Sequence, residues 1–302
     1  MTKLSLAVDI AGLELRSPTM NAAGVLGLSR SLLRRVYNAD AGAAVTKSIG
    51  PLPREGHKNP TLIKVEGGAL NAMGLPNPGV DYFSDEIRDL DFPVVASFFG
   101  GSFEEFRTVA EKLSETEISA LELNCSCPNV AEEMGMLAAD EDNVEQVTRE
   151  VKGATHLPVF VKLSPSVTDV VTIAQAAKRG GADAITATNT LKGISIDTDF
   201  KRPVLSNVTG GLSGPALKPV SLRCVWEISE EMDIPIIGCG GISTWRDAVE
   251  YILAGAVAVE IGTAIMTKGF SVFHEVAEGM RGYMERNDYR NIEDFRGVAH
   301  EI

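Results

Sequence analysis

The sequence predicts an α/β chain folded as a (β/α)8 barrel, with long loops inserted at its C-terminal face. Three observations carry this expectation. Short apolar runs alternate with amphipathic helical stretches from end to end, the runs number eight, and polar residues gather where they stop. The runs are Thr19 to Ala23, Ala43 to Ser48, Pro93 to Phe98, Ala120 to Asn124, Val159 to Leu163, Asp183 to Thr188, Pro235 to Cys239 and Ala258 to Gly262. Between them, Phe103 to Leu113, Asn143 to Val151, Val167 to Lys178, Ser221 to Glu231 and Trp245 to Leu253 have the helical period of a core-facing stripe. Gly180, Gly181 and Gly255 follow helices where left-handed caps belong, and Ser243-Thr244 precedes the Trp245 helix as an N-cap signal. Two stretches exceed a minimal barrel. Leu52 to Asp81 is rich in Pro, Gly and Asn, while Leu191 to Pro219 contains a hairpin-like Ile194-Ser195-Ile196 and the glycine-rich Gly210 to Gly214. Loops of this length are usually functional, and both leave the C-terminal ends of strands, the active face of a barrel.

A chain of 302 residues with 44% hydrophobic and 23% charged residues suits one large core, so residues 1–302 are expected to form a single domain. No apolar run approaches the roughly 20 residues needed to span a bilayer, and Met1-Thr2-Lys3-Leu4 does not open a signal-peptide block. The expectation is a cytoplasmic protein without a membrane partner. A net charge of −13 disfavours affinity built on neutralising nucleic-acid phosphates. Cys125, Cys127, Cys224 and Cys239 are too scattered for a disulfide framework. With no second Cys or His cluster at ligand spacing, no metal is expected either.

The segment Leu121 to Asn129 is an apolar strand that stops at two amides and a thiol held at a proline-fixed bend. Amides read a planar heterocycle through donor and acceptor atoms alike, and a thiol beside them can exchange a proton near neutral pH. Most unpaired cysteines simply pack, so the bend alone does not make Cys127 a base. Asn21, Lys47, Ser48, Ser97, Asn124, Lys162, Ser164, Asn189 and Thr190 also close strands, where turn-forming residues are ordinary. Lys47 and Lys162 stand apart. They sit in Ala-Ala-Val-Thr-Lys and Phe-Val-Lys-Leu, where a buried amine is costly unless it meets an anion. The late strands end in Gly238-Cys239-Gly240-Gly241 and Gly262-Thr263, whose bare amides suit a phosphate after the last two barrel strands. No Gly-x-Gly-x-x-Gly nucleotide fingerprint supports direct nicotinamide binding.

Taken together, Asn21 to Gly24, Thr46 to Ser48, Asn71 to Asn77, Leu123 to Asn129, Val161 to Pro165, Asn189-Thr190 and the two glycine ends resemble the class 1 dihydroorotate dehydrogenases over nearly the whole chain. Thr209 to Ala216 looks like the B type of that family. The resemblance implies a TIM barrel that oxidises (S)-dihydroorotate to orotate in de novo pyrimidine (UMP) synthesis with one FMN per chain. It implies flavin contacts at Ala23, Gly24, Lys47, Ser48, Asn124, Lys162, Thr188, Ser213, Gly214, Gly240, Gly241, Gly262 and Thr263. Substrate contacts would be Lys47, Asn71, Met73, Gly74, Leu75, Asn124, Asn129, Asn189 and Thr190, with Cys127 as base and Lys47 beside it in the catalytic set. Cys125 would be core packing. The resemblance further implies a homodimer core and a separate electron-transfer subunit carrying FAD and a 2Fe-2S cluster, which passes electrons to NAD. Two departures are visible: Val130 to Asp140 lacks the basic, double-glycine lid common in the family, and Ser97 stands where an amide often touches the flavin.

Competing readings share parts of this pattern. A tRNA-dihydrouridine synthase or a dihydropyrimidine dehydrogenase-like flavoenzyme is one class, and Asn124 to Pro128 satisfies the synthase's Asn-x-x-Cys-Pro motif. A Schiff-base aldolase built on Lys47 or Lys162 is the non-flavin alternative.

Overall fold

The computed structural model describes residues 4–125 and 139–301. Eight parallel strands form one sheet: β1 (Thr19–Asn21), β2 (Ala44–Val45), β3 (Val94–Phe98), β4 (Ala120–Asn124), β5 (Val159–Leu163), β6 (Ala184–Ala187), β7 (Ile236–Cys239) and β8 (Ala258–Ile261). Their spatial order is β1-β8-β7-β6-β5-β4-β3-β2, and a parallel bridge between Met20 and Ala43 joins the two ends into a barrel. Every residue of the eight strands is buried. Coverage on both faces is why these segments read as continuous apolar runs rather than alternating ones.

Helices α1 (Arg30–Asn38), α2 (Val80–Glu86), α3 (Phe103–Ser114), α4 (Glu141–Gly153), α5 (Val170–Arg179), α6 (Lys218–Glu231) and α7 (Trp245–Leu253) return the chain between successive strands, and α8 (Ser271–Arg286) follows β8. The stripe that holds α3 to the barrel is Phe106, Val109, Ala110 and Leu113, all buried and spaced as one helical face. Side chains fix the helix starts. Asp140 and Asp169 accept from the first-turn amides of α4 and α5, so these helices begin at Glu141 and Val170 rather than at the expected Asn143 and Val167. Thr244 and Asp247 form a reciprocal capping box on α7, as the Ser243-Thr244 signal anticipates. Gly181 and Gly255 adopt φ of 100° and 106° as expected of left-handed caps, but Gly180 stays right-handed at φ −71°.

The two long excursions meet. Leu191–Ile194, Thr209–Ser213, Gly68–Asn71 and Leu62–Val65 form a four-stranded antiparallel sheet in that order, with a small core of Leu70, Ala72 and Leu205. The expected hairpin at Ile194-Ser195-Ile196 is not one. Ile194 ends the strand paired with Thr209–Ser213, whereas Ile196–Asp197 pairs with Arg202–Pro203 in a separate ribbon. Alternating apolar residues gave the period of a strand without giving its partner. Among the described residues no helix is long and apolar enough to cross a membrane.

Candidate active site

The C-terminal ends of the strands carry a chain of polar side chains across the barrel mouth. Just past β2, the Ser48 hydroxyl lies 2.9 Å from that of Ser97 on β3 and accepts a hydrogen bond of 3.2 Å from Asn124 Nδ2 at the end of β4. Asn124 Oδ1 in turn accepts from Asn189 Nδ2 just past β6, at 3.4 Å, and Asn189 Oδ1 accepts from the Thr190 amide at 2.7 Å. Each amide is thereby oriented by a neighbour before any ligand arrives, which is the preorganisation that planar recognition requires. Ser97, at the position expected to touch a cofactor, instead completes this chain through Ser48. Asn21 belongs to the scaffold: its side-chain amide donates to Val45 O and accepts from Val45 N, clamping β1 to β2.

The antiparallel excursion forms one side of the mouth. Asn71 Nδ2 donates to Gly211 O across the sheet at 3.3 Å. Gly211 must lack a side chain, because a Cβ there would lie 2.0 Å from Thr190 Oγ1. Met73 O accepts from the His57 amide, and Asn77 Oδ1 accepts from the amides of Gly50 and Gly79, so the Asn71 to Asn77 segment folds back onto the loop after β2. Two residues beyond Gly211, the Ser213 hydroxyl accepts from Thr263 Oγ1 at 2.8 Å, tying the excursion to the loop after β8. Gly214 approaches the same loops: its carbonyl would lie 2.8 Å from a Cβ on Gly241, and its own Cβ would lie 3.5 Å from Thr263 Cγ2.

Around that junction, the backbone N–H groups of Gly240, Gly241 and Thr263 have no protein acceptor among the described residues. Gly240 is held by the Tyr251 hydroxyl, which donates to its carbonyl at 2.7 Å, and by Ser221, whose Oγ would lie 2.2 Å from a Cβ on residue 240. Unpaired amides from two neighbouring loops, after β7 and after β8, make a ready site for an anion. Gly262 sits against Ala22 and Val25, while Gly24 after β1 is exposed and would meet nothing within 4 Å if it carried a Cβ, which leaves open space beside Ala23. The Thr188 hydroxyl is buried, 2.7 Å from Ser221 Oγ.

The two lysines differ. Lys47 is half-buried just past β2, and no carboxylate of the described residues lies within ion-pair distance of it. Burial lowers its pKa from the ordinary lysine range. Lys162 is only 4% exposed, with its ammonium 2.5 Å from Glu260 Oε2 and 3.5 Å from Glu122 Oε1. Thr186 Oγ1 donates to the other Glu122 oxygen at 3.2 Å. Burial would lower Lys162, but the Glu122 and Glu260 carboxylates outweigh it and hold the amine charged above its ordinary range. Sequence reasoning missed both glutamates. The available signal was a lone Glu inside Ala-Leu-Glu-Leu-Asn and Ala-Val-Glu-Ile, two otherwise apolar strands that are buried on both faces.

Cys127 and Asn129 lie outside the described residues. Their neighbour Cys125 is buried in the main core, and burial pushes its thiol up to about 12, which agrees with a packing role. Among the described residues no cluster of three or more His, Cys, Asp or Glu could hold a metal.

Comparison with known proteins bears on this geometry. Residues 5–284 match the family model for dihydroorotate dehydrogenase. The chain is 48% identical to the protein named dihydroorotate dehydrogenase B (NAD(+)), catalytic subunit, of Pyrococcus horikoshii, with 100% of both chains covered. It is 46% identical to the protein of the same name from Methanosarcina acetivorans, over 97% of this chain and 96% of that one. Its counterpart in Methanothermobacter thermautotrophicus is 43% identical, over 98% of this chain and 99% of the relative. A barrel mouth lined with oriented amides beside unpaired backbone donors, and a match that runs through every barrel strand, lead to one conclusion: the chain belongs to the dihydroorotate dehydrogenase family of oxidoreductases.

Proposed function

We propose that this chain oxidises (S)-dihydroorotate to orotate, the ring-oxidation step of de novo UMP synthesis, with one FMN held across the barrel mouth of a single 1–302 domain. When bound, FMN accepts hydride from the substrate ring. The residues present fit such a group. Gly240, Gly241 and Thr263 offer unpaired amide donors for its phosphate, beside Ser213, Gly214 and Gly262. Open space beside Ala23 and Gly24, with Ser48 past β2, Asn124 on β4, Lys162 on β5 and Thr188 past β6, suits its ring.

The protein's own contribution is orientation and proton handling. Lys47, lacking an internal carboxylate partner, meets the substrate carboxylate. Asn71, Asn124, Asn129 and Asn189 read the alternating carbonyl and N–H groups of the ring, while Met73, Gly74, Leu75 and Thr190 complete the wall. Cys127 removes the ring proton adjacent to a carbonyl as hydride leaves the neighbouring carbon.

The observation that carries the reading is the strand Thr209–Ser213, which joins the two halves: its Gly211 faces Asn71 and Thr190, and its Ser213 is bonded to Thr263. An anion site and a heterocycle site on one short strand suit a ligand with a phosphate tail and a flat head. The protein is expected to purify yellow, or to become so on addition of FMN, and orotate should perturb the flavin spectrum. A colourless protein that leaves FMN unbound would defeat the proposal.

Electrons leave to NAD through a separate subunit carrying FAD and a 2Fe-2S cluster. The relatives' names describe a catalytic subunit of an NAD(+)-linked enzyme, which supports this route. A homodimer core is supported by the exposed Ile194, Ile196, Phe200 and Val208 on the excursion after β6. The setting we propose is cytoplasmic. Isolated chains should reduce artificial acceptors with dihydroorotate but reduce NAD poorly, and rapid NAD reduction by this chain alone would refute the two-subunit route.

A further inference from the structure

Two buried acids hold Lys162, which lines the proposed flavin site. Glu122 on β4, Lys162 on β5 and Glu260 on β8 point into the barrel interior, with relative exposures of 0%, 4% and 2%. The groups that face Glu260 are Glu122 across the interior, Lys162, and the Cys239 thiol, which is paired in register with it on β7. On its other side β8 meets β1, where Met20 is its partner. Burial pushes the Cys239 thiol up, so it stays neutral. What remains is one ammonium between two carboxylates. With all three ionised, the barrel would enclose a net negative charge, which low-dielectric surroundings oppose strongly.

We propose that Glu260 is a positioning residue for the redox reaction: with Glu122 it fixes Lys162 beneath the flavin site and makes the net charge of this buried cluster, rather than Lys162 alone, what the flavin meets. The inference rests on the placement of FMN given under Proposed function. Its consequence is a proton balance. Hydride brings the flavin two electrons and one proton from the substrate carbon, while the second substrate proton goes to the base. The flavin thereby gains one negative charge. A neutral cluster, with its shared proton in place, tolerates that charge; a cluster that has lost the proton opposes it, and reduction then draws one proton from solvent onto the carboxylate pair. Burial and Glu122 raise Glu260 to about 8, against the opposing pull of Lys162, so this exchange falls within reach of ordinary buffers.

The test is the flavin midpoint potential of the FMN-loaded protein, measured by anaerobic dye titration at pH 6.5 and pH 9 for the parent, Glu260→Gln and Lys162→Met. Lys162→Met should lower the potential at both pH values. Glu260→Gln should match the parent at pH 6.5 and lie above it at pH 9, because the parent alone acquires the opposing charge. A purely structural role would move both variants the same way or leave Glu260→Gln on the parent's curve, and either result overturns the proposal. Glu122→Gln, which removes the other acid of the pair, should also flatten the pH dependence; it decides the matter if Glu260→Gln does not fold. Failure of the flavin assignment would appear separately, as a parent protein that binds no FMN.

Discussion

Lys47 and Lys162 close strands of the same barrel, and in the sequence they look alike: each is an amine at the end of an apolar run. The structure separates them. Lys162 is enclosed with two carboxylates, whereas Lys47 is half-buried with no carboxylate of the described residues in reach. A buried cation needs a counter-charge, and the two positions meet that need differently. Lys162 is satisfied from within, so it acts on neighbours through the net charge of its cluster. Lys47 keeps its charge unmatched, so an anionic ligand can complete it.

The largest effect belongs to neither lysine, and it sets the scale against which both are measured. Cys127→Ser should leave flavin bound yet slow its reduction by dihydroorotate by about 10² to 10⁴-fold, the usual contribution of a positioned base. The residual rate should keep rising into alkaline solution, and equal rates in variant and parent would remove Cys127 from the mechanism. Lys162→Met comes next. It leaves Glu122 and Glu260 facing each other without their cation, and breaking a buried pair this way costs about 3–5 kcal/mol of folding stability. Urea unfolding that matches the parent would show that the cluster needs no cation.

Lys47→Met should do the opposite: unfolding stays within about 0.5 kcal/mol of the parent, as for sites without a structural partner. Dihydroorotate KM should rise by roughly 10 to 100-fold, since a hydrogen bond to a charged group is worth about 1.5–3 kcal/mol. A large loss of stability with unchanged KM would invert the comparison. The smallest effect is in pH. Burial lowers Lys47, so its charge is lost, as pH rises, before an ordinary lysine of 10.5 would lose it. Substrate KM in the parent should therefore climb at alkaline pH below that value, and Lys47→Met should lack this limb.

What could be read from the sequence follows the same division between local and non-local causes. All eight barrel strands were legible because burial on both faces leaves an apolar run as its trace. Asn124, Asn189 and the glycine ends were legible because they terminate those runs. The Glu122–Lys162–Glu260 cluster was not, since its members come from β4, β5 and β8 and meet only when the sheet curls into a barrel. Thr209–Ser213 pairs with Gly68–Asn71 across some 140 residues of chain, so its role as the tie between two halves of the mouth had no local signature. Ile194 and Ile196 show the reverse error, a local pattern assigned to one hairpin although its two halves belong to different sheets.

The proposed chemistry is hydride transfer from dihydroorotate to a flavin bound at this barrel mouth. Anaerobic stopped-flow mixing of the FMN-loaded chain with dihydroorotate tests it most directly. Flavin absorbance should bleach in a single turnover, with one orotate formed per flavin, and Lys47→Met should need more substrate to reach the same limiting rate. Flavin that stays oxidised at saturating dihydroorotate would contradict it.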